Sequence, residues 1–288
     1  MNPNVSYQDV LTDIQDFYVE NSLSVYVPSA DKSMKFKPIS VSQMKKFIEI
    51  QVRTSKDEVG IIPGLEMVND LNRLLQENYV GEDPQGLLGR LTILDRDAIV
   101  AQLRADNNPI IEIPKQDEDE PDTGTIEHLL KDFKKAKLPA SLKTSESTLK
   151  FKSGHIKLKL SIPSLYVDSY INEYFKAQIK PFLNKGSKGI ERNLEKILSQ
   201  TYLVELAKYI DALEIQKNSK SSTVITFDNY QTLTQQLKLL EQLPSNVIVK
   251  INKFIKQLKD YRDSILYYVD GDGKQQPLNV DVSLFTSI

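Results

Sequence analysis

The stretch that decides the fold lies near the N-terminus and reads Val25-Tyr-Val-Pro-Ser-Ala-Asp-Lys-Ser-Met-Lys-Phe-Lys-Pro-Ile-Ser-Val-Ser-Gln-Met-Lys-Lys-Phe-Ile48. Apolar and polar residues alternate over residues 23–27 and again over residues 34–38, on either side of the turn-forming segment Pro28-Ser-Ala-Asp-Lys-Ser33. Alternation around a turn predicts a β-hairpin. Because Pro28 and Pro38 have no N–H group to donate to a neighbouring strand, we expect this hairpin to be an edge element.

Helices are predicted on both sides of the hairpin. Apolar residues at spacings of three and four predict one amphipathic helix over residues 6–20, which we expect to pack on the elements that follow it. Ser40-Val-Ser-Gln43 has the sequence of a capping box and predicts a second helix that runs to about Thr54. Two more helices are predicted over residues 65–79 and from Thr92 through Leu103. The buried face of the second helix is expected to contain Met44, Phe47, Ile48 and Val52.

The C-terminal half combines hairpins with helices. Residues 148–160 alternate apolar and basic side chains on both sides of Ser153-Gly154, which predicts a hairpin with one buried face and one lysine face. Helical spacing predicts helices over residues 194–213, 228–243 and 247–265. The last of these has a heptad-like seam, which fits either core packing or contact with a second chain. A second hairpin is predicted to turn at Asp270-Gly-Asp-Gly-Lys274.

An acidic segment separates the two halves. Residues 115–123 read Lys-Gln-Asp-Glu-Asp-Glu-Pro-Asp-Thr, with five acidic residues and no apolar one. Since nothing there offsets the entropy of ordering, we predict an exposed linker over residues 115–124, with a cation site as the alternative. The predicted fold is therefore α+β, mainly helical with small β-hairpins. A mostly helical N-terminal domain spans residues 1–114, and a C-terminal domain with the lysine-faced hairpin spans residues 125–288.

Composition limits the possible functions. The chain has 288 residues, 40% of them apolar and 26% charged, which is typical of a folded protein with a sizeable core. It has no cysteine, which excludes disulfides, thiolate zinc sites and cysteine nucleophiles. Only His128 and His155 could serve in histidine-dependent chemistry. No apolar run has the length of a membrane span and the N-terminus lacks the pattern of a signal peptide, so we expect the chain to stay in the cytosol.

Charge is distributed unevenly along the chain. The formal net charge is -2, yet residues 1–124 hold twelve Lys and Arg against twenty-two Asp and Glu, whereas residues 125–288 hold twenty-five against seventeen. The N-terminal part is therefore acidic and the C-terminal part basic. Such an asymmetry either attracts a partner of opposite sign or lets the two parts of the same chain neutralise each other.

Four features that suggest chemistry are better explained as structure. The segment Asp270–Lys274 begins like a calcium loop but lacks the glycine and the bidentate glutamate that follow in such loops. The glycines and lysines of residues 184–189 lack the ending of a phosphate-binding loop and predict a turn between helices. Neither histidine has a partner at ligand spacing, so both are expected to be surface residues. The lysine-rich segments alternate with core-spaced apolar residues, which disfavours nucleic acid as a ligand.

Two blocks of the chain resemble the baseplate hub family of contractile-tailed, T-even-like bacteriophages, the myoviruses, including the assembly factors counted with that family. The first block covers residues 23–105 and the second covers residues 195–288. The matching motifs are Lys35-Phe-Lys-Pro-Ile39, the Lys45-Lys46 helix, Leu94-Asp-Arg-Asp-Ala-Ile99, Tyr202-Leu-Val-Glu-Leu-Ala-Lys-Tyr-Ile210, Leu243-Pro-Ser245 and the terminal segment from Asp281 to Phe285. The chain lacks the cysteine pair that some relatives carry in the central segment, so a metal-bound hairpin is not implied here.

The resemblance implies a non-enzymatic protein of the phage tail baseplate, either a virion structural protein or an assembly chaperone. Its partners would be other baseplate or tail hub proteins, with no membrane partner, no cofactor and no metal. It would act in the host cytoplasm during assembly and, if retained, in the baseplate of the virion. The alternative is a DNA-associated phage protein that uses the basic C-terminal half. The oligomeric state is left open.

The predicted partner surface combines charge with apolar residues, because charge steers association and apolar contact supplies affinity. Its candidate residues are Lys150, Lys152, Lys157 and Lys159 on the lysine-faced hairpin, together with Val282, Leu284 and Phe285 in the terminal segment.

Overall fold

The computed structural model describes residues 6–56, 61–113, 122–131, 133, 136–183, 193–217, 221–227, 233–280 and 284. Within these residues the chain forms eleven helices and ten strands, and the strands make three antiparallel sheets. The prediction of a mainly helical α+β fold is confirmed. The chain divides into two compact units: unit 1 comprises Met1–Lys137 and Ser264–Ile288, and unit 2 comprises Leu138–Asp263.

This division differs from the predicted one. The boundary lies after Lys137 and not in the acidic segment, and the C-terminal hairpin belongs to unit 1. The reason is strand pairing over a long sequence distance, since Thr125 pairs with Val269. Of the predicted linker, residues 122–124 lie in a strand, and residues 115–121 are outside the described residues.

The predicted helices and hairpin of the N-terminal part are present in unit 1, whereas the short helix Leu87–Arg90 and the strands Ile110–Ile113 and Asp122–Thr125 were not predicted. Ser6 and Thr92 each begin a helix with a capping box. The elements are α1 (Tyr7–Glu20), β1 (Leu23–Val27), β2 (Lys32–Phe36), α2 (Val41–Lys56), α3 (Ile61–Asn78), α4 (Leu87–Arg90), α5 (Ile93–Asn107), β3 (Ile110–Ile113), β4 (Asp122–Thr125) and α6 (His128–Lys131).

The N-terminal hairpin of β1 and β2 is enclosed on both edges. On the β1 side, the buried Gln102 of α5 substitutes for a neighbouring strand: its Oε1 accepts from the Tyr26 N–H at 3.0 Å and its Nε2 donates to the Tyr26 carbonyl at 2.9 Å. On the β2 side, Val80 N–H donates to the Lys35 carbonyl at 2.8 Å, and Tyr79 forms a bridge with Phe36. Among the described strands none joins this hairpin, and side-chain and loop groups instead bond to part of its two edges.

Asp95 links the hairpin to α5. It is fully buried, and its carboxylate accepts from the Ser29 N–H at 2.9 Å, from the Ser29 hydroxyl at 2.6 Å and from the Thr92 N–H at 2.8 Å. Burial raises the pKa of Asp95, and the hydrogen bonds from Ser29 and Thr92 oppose that rise. One side chain thus caps a helix and holds the turn of a hairpin 66 residues away in the chain.

The buried face of α2 is rotated from the predicted one. Phe47 and Ile50 are buried, at 2% and 1% exposure, whereas Ile48 and Val52 are 39% and 47% exposed. The capping box itself is confirmed, since the Gln43 N–H donates to the Ser40 hydroxyl at 3.3 Å. Gln43 also donates to the side chain of the buried Asn78 at 2.8 Å, and this bond turns the start of α2 toward the end of α3.

Unit 2 starts with the short helix α7 (Ala140–Lys143) and contains the predicted lysine-faced hairpin, formed by β5 (Ser145–Phe151) and β6 (Gly154–Leu160). The remaining elements are α8 (Leu165–Leu183), α9 (Leu194–Ala207), β7 (Ile210–Lys217), β8 (Ser221–Thr226), α10 (Leu233–Gln242) and α11 (Ser245–Ile265), whose last two residues lie beyond the unit boundary. Pairing in the order β5-β6-β7-β8 extends the predicted hairpin to a four-stranded sheet.

The prediction of one helix over residues 194–213 is wrong in its last part. The helix ends at Ala207, and β7 begins at Ile210. The register between β6 and β7 shifts at Lys159/Leu160, so that Ile210 and Leu213 are both buried although they are three residues apart. A β-bulge therefore produced the three-residue spacing that predicts a helix.

The heptad-like seam of α11 is core packing. Val247, Ile251, Phe254 and Leu258 are all buried, at 0%, 0%, 2% and 6% exposure. Phe254 meets Tyr209 edge to face, with 6.3 Å between the ring centroids. Of the two interpretations that the sequence allowed, the buried seam supports the intramolecular one.

A buried ion cluster connects α8 to the end of α9. Lys208 Nζ lies 2.9 Å from Asp168 Oδ1, 2.7 Å from Glu205 Oε1 and 3.1 Å from Asn172 Oδ1. Burial favours the neutral amine, but the carboxylates of Asp168 and Glu205 outweigh it and raise the pKa of Lys208. A charged lysine with carboxylate and amide partners is a structural link between the two helices.

We expect Asp95→Ala to destabilise unit 1 by about 2–3 kcal/mol, because buried donors of Ser29 and Thr92 would lose their acceptor. Asp106→Ala is the matched control, since Asp106 lies in the same helix and is exposed. Urea unfolding followed by circular dichroism measures both variants. Equal stability of the two would show that the Asp95 contacts contribute nothing.

Candidate interaction surfaces

Two of the four candidate lysines on the β5–β6 hairpin form ion pairs within unit 2. Lys157 Nζ lies 2.8 Å from Glu146 Oε2, and Lys159 Nζ lies 2.5 Å from Asp211 Oδ2. The bonds to Glu146 and Asp211 raise the pKa of Lys157 and of Lys159. The predicted lysine face is therefore a face of mixed charge, because the acidic residues of β5 and β7 lie beside it.

The other two lysines lie at the turn end of the hairpin. Lys150 is exposed and pairs in register with His155, and Lys152 is exposed within the two-residue turn. Gly154 follows this turn with a φ of 152°, and a Cβ there would come within 2.0 Å of the Gln216 carbonyl oxygen. Glycine is required at this position because β7 passes directly beside it.

The terminal segment is tied to the core of unit 1. Leu284 is 3% exposed, and its carbonyl accepts from Arg104 Nε at 2.5 Å. Arg104 is itself buried, and it also donates to the Asn108 and Ile110 carbonyls. Burial lowers the pKa of Arg104. Leu284 therefore packs within unit 1, and its role in partner binding stays a prediction. Val282 and Phe285 lie outside the described residues.

An exposed apolar surface lies on α1, which the sequence prediction assigned to packing. None of the residues of α1 is buried. Its apolar side chains recur at spacings of three and four and so lie on one face of the helix, which is exposed except at the half-buried Tyr18. The exposed fractions are 80% for Tyr7, 42% for Val10, 37% for Leu11, 46% for Ile14 and 61% for Phe17. The expectation that α1 packs on the following elements is wrong.

Every charged residue of α1 is acidic. Asp9, Asp13, Asp16 and Glu20 recur at spacings of four, three and four, and the helix contains no Lys or Arg. The capping box is complete, since Asp9 N–H donates to the Ser6 hydroxyl at 3.1 Å and Ser6 N–H donates to Asp9 Oδ2 at 3.0 Å. The helix start is therefore stabilised locally, although its apolar face lacks a core.

A second exposed stripe lies on α2. Val41, Ile48 and Val52 are 85%, 39% and 47% exposed, and spacings of seven and four place them on one face. Sequence periodicity detected this stripe but assigned part of it to the interior. In both helices the apolar periodicity is correct, and only the packing shows which face remains open.

The Asp270–Lys274 loop is a closed turn. Asp270 Oδ1 accepts from the Lys274 N–H at 2.8 Å and from the Asp272 N–H at 3.1 Å, and Asp270 Oδ2 accepts from Gln276 at 3.2 Å. The bond from the Lys274 amide, followed by those from Gln276 and Asp272, lowers the pKa of Asp270. The turn joins β9 (Tyr267–Val269) to β10 (Gln275–Pro277), as predicted.

The two histidines differ in their surroundings. His128 stacks on Tyr267 with 4.0 Å between ring centroids, and its ring nitrogens are shielded from solvent. His128 is half-buried, because Tyr267 of the C-terminal hairpin covers one side of its ring. His155 lies on the polar face of the unit 2 sheet, opposite Gln216.

A cavity of about 180 Å³ lies between α8, α9 and α10 in unit 2. Phe175, Leu203, Val204 and Leu237 form its apolar part, and Lys238 and Glu241 are among its polar lining residues. The charges of Lys238 and Glu241 balance each other, and the size of the cavity suits one side chain or a small neutral molecule. The predicted turn at residues 184–189 lies outside the described residues.

Comparison of the chain with protein-family models, with curated proteins and with solved structures finds no match in any of the three. Among the described helices, none combines the length and apolar character needed to cross a membrane. The described residues also contain no group of three or more His, Asp and Glu side chains placed to hold a metal ion.

We expect Leu284→Ala to destabilise the protein by about 3 kcal/mol, because it removes a buried side chain from the core of unit 1. Leu130→Ala is the matched control, since Leu130 is 38% exposed in the same unit. Thermal and urea unfolding of the purified protein measure the difference. A stable Leu284→Ala variant that fails to bind a partner would instead assign Leu284 to an interface.

We expect no calcium binding at Asp270 and Asp272, because the carboxylate of Asp270 already accepts two backbone N–H groups. Titration calorimetry with calcium chloride should show no heat above dilution. Micromolar binding that disappears in Asp272→Ala but persists in Asp263→Ala, a control outside the turn, would contradict this expectation.

Proposed function

We propose that this protein is a non-enzymatic component or assembly factor of a phage tail baseplate, and that it acts by binding other hub or tail proteins. The single observation that supports this proposal most is the open apolar face of α1, where Phe17 is 61% exposed. A well-capped amphipathic helix without a core partner is suited to insertion into a groove of another protein. The resemblance of residues 23–105 and 195–288 to the baseplate hub family supplies the biological setting.

The buried ionisable groups support a structural role. Asp95 caps α5 and holds the hairpin turn, Arg104 binds the carbonyl of Leu284, and Lys208 joins α8 to α9. In each case the group bonds to backbone or to an oppositely charged partner of its own unit. Catalytic groups are more typically poised in a cleft that a substrate can enter. The proposed place of action is the host cytoplasm during assembly, with neither a cofactor nor a membrane.

The DNA-associated alternative receives less support. Lys157 and Lys159 are paired with acidic residues, and Asp260 directly follows the last of the four exposed lysines of α11. A protein that binds DNA through phosphates needs a continuous basic surface and shows strongly salt-dependent affinity. Retention on a DNA column that falls steeply with salt would favour the alternative over the baseplate role.

The test is complementation of a phage that lacks this gene. We expect the double variant Ile14→Ser and Phe17→Ser to fold with unchanged melting temperature, since neither residue is buried, and to fail to support tail assembly. Val249→Ser is the control, because Val249 is 64% exposed but lies in unit 2 on α11. Plaque counts and electron microscopy of tails provide the measurement. Normal tails with the double variant would overturn the proposal.

A further inference from the structure

We propose that the partner of α1 is a protein groove with an apolar floor and with lysine or arginine along one rim only. This inference rests on the proposed function and identifies the chemistry of the surface that α1 binds. Two observations support it: the distribution of charge around α1, and the small area that α1 offers for contact with another protein.

Charge on α1 lies on one flank of its apolar face. At about 100° per residue, Asp13 lies about 40° from Phe17, so the acidic stripe borders the edge formed by Val10 and Phe17. The opposite edge, formed by Leu11, is bordered by Gln8 and Gln15, which are neutral. A groove that encloses the apolar face therefore meets carboxylates on one side and amides on the other. Complementarity requires basic residues on the first rim alone.

The same charge distribution disfavours two other kinds of partner. Helices that lie on membranes carry Lys and Arg on the polar face, because lipid surfaces are anionic, whereas α1 has four acidic residues and no basic one. Nucleic acid is disfavoured for the same reason, since its phosphates would be repelled.

A second copy of α1 offers too little area. The helix has 14 residues and is therefore about 21 Å long, and a stable two-stranded coiled coil needs three or four heptads. A strip of that length and about 10 Å width is far smaller than the roughly 800 Å² per partner of a stable interface. A groove that contacts the helix on three sides covers more of its surface than a second α1 does.

The experiment begins by replacing Ile14 with p-benzoylphenylalanine in infected cells, followed by irradiation and sequencing of the cross-linked peptide. The partner so defined is purified, and its affinity for the whole protein is measured at two salt concentrations. Asp13→Lys and Gln15→Lys form the matched pair, because both add a lysine to α1 beside the same apolar face. We expect Asp13→Lys to weaken binding by about 10- to 100-fold at low salt and Gln15→Lys by less than about 3-fold.

A second measurement tests the contact directly. A carbodiimide joins a carboxylate to an amine only when the two touch, so it should link Asp13 or Asp16 to a lysine of the partner. These links should be absent in Asp13→Asn/Asp16→Asn. If the basic residues of the rim are arginines, the carbodiimide gives no link. Asp13→Lys should still weaken binding more than Gln15→Lys does.

Each outcome tests a different part of the proposal. Equal effects of the two lysine variants would overturn the one-sided basic rim while leaving the docking role of α1 intact. Loss of tail assembly in the Ile14/Phe17 double variant together with binding to phosphatidylglycerol vesicles would replace the protein groove by a membrane. Concentration-dependent dimers in sedimentation that disappear in the double variant would assign the face to a second copy. No cross-link from position 14, with normal tails, would overturn the proposed function itself.

Discussion

Unit 1 depends on the burial of α5. Ten of its fifteen residues are buried, which is the pattern of a central helix and not of a surface one. Three polar side chains on this helix then hold separate parts of the chain: Asp95 binds the hairpin turn, Gln102 binds the edge of β1 and Arg104 binds the terminal segment. Each contact satisfies backbone groups that would otherwise be buried without a partner, which is costly.

In unit 2, the four-stranded sheet holds distant segments of the chain together. The strand that follows α9 passes so close to the β5–β6 turn that only glycine fits at position 154. The bulge opposite Lys159 then places Ile210 and Leu213 on the buried side of the sheet. Lys208, directly before this strand, binds Asp168 of α8 and so fixes where helix ends and strand begins.

These arrangements determine which surfaces remain for a partner. Of the four lysines predicted to bind a partner, Lys157 and Lys159 are paired with acidic residues of unit 2. Apolar side chains of α1 are not used in this way. Since exposed apolar area is what supplies affinity at protein interfaces, the helix that contributes least to the fold is the best candidate for contact with another protein.

Local sequence signals predicted the local structure well. The capping box at Ser40, the helix start at Thr92, the turn at Ser153-Gly154 and the seam of α11 depend on residues within a few positions of one another, so the sequence alone determined them. These local signals do not predict contacts between segments that are far apart in the sequence. Tertiary structure alone decided that β1 and β2 are enclosed, that the C-terminal hairpin joins unit 1 and that β7 replaces the end of a helix. It also decided that Leu284 is buried while Ile14 and Phe17 are exposed, because periodicity identifies an apolar face but not the surface that covers it.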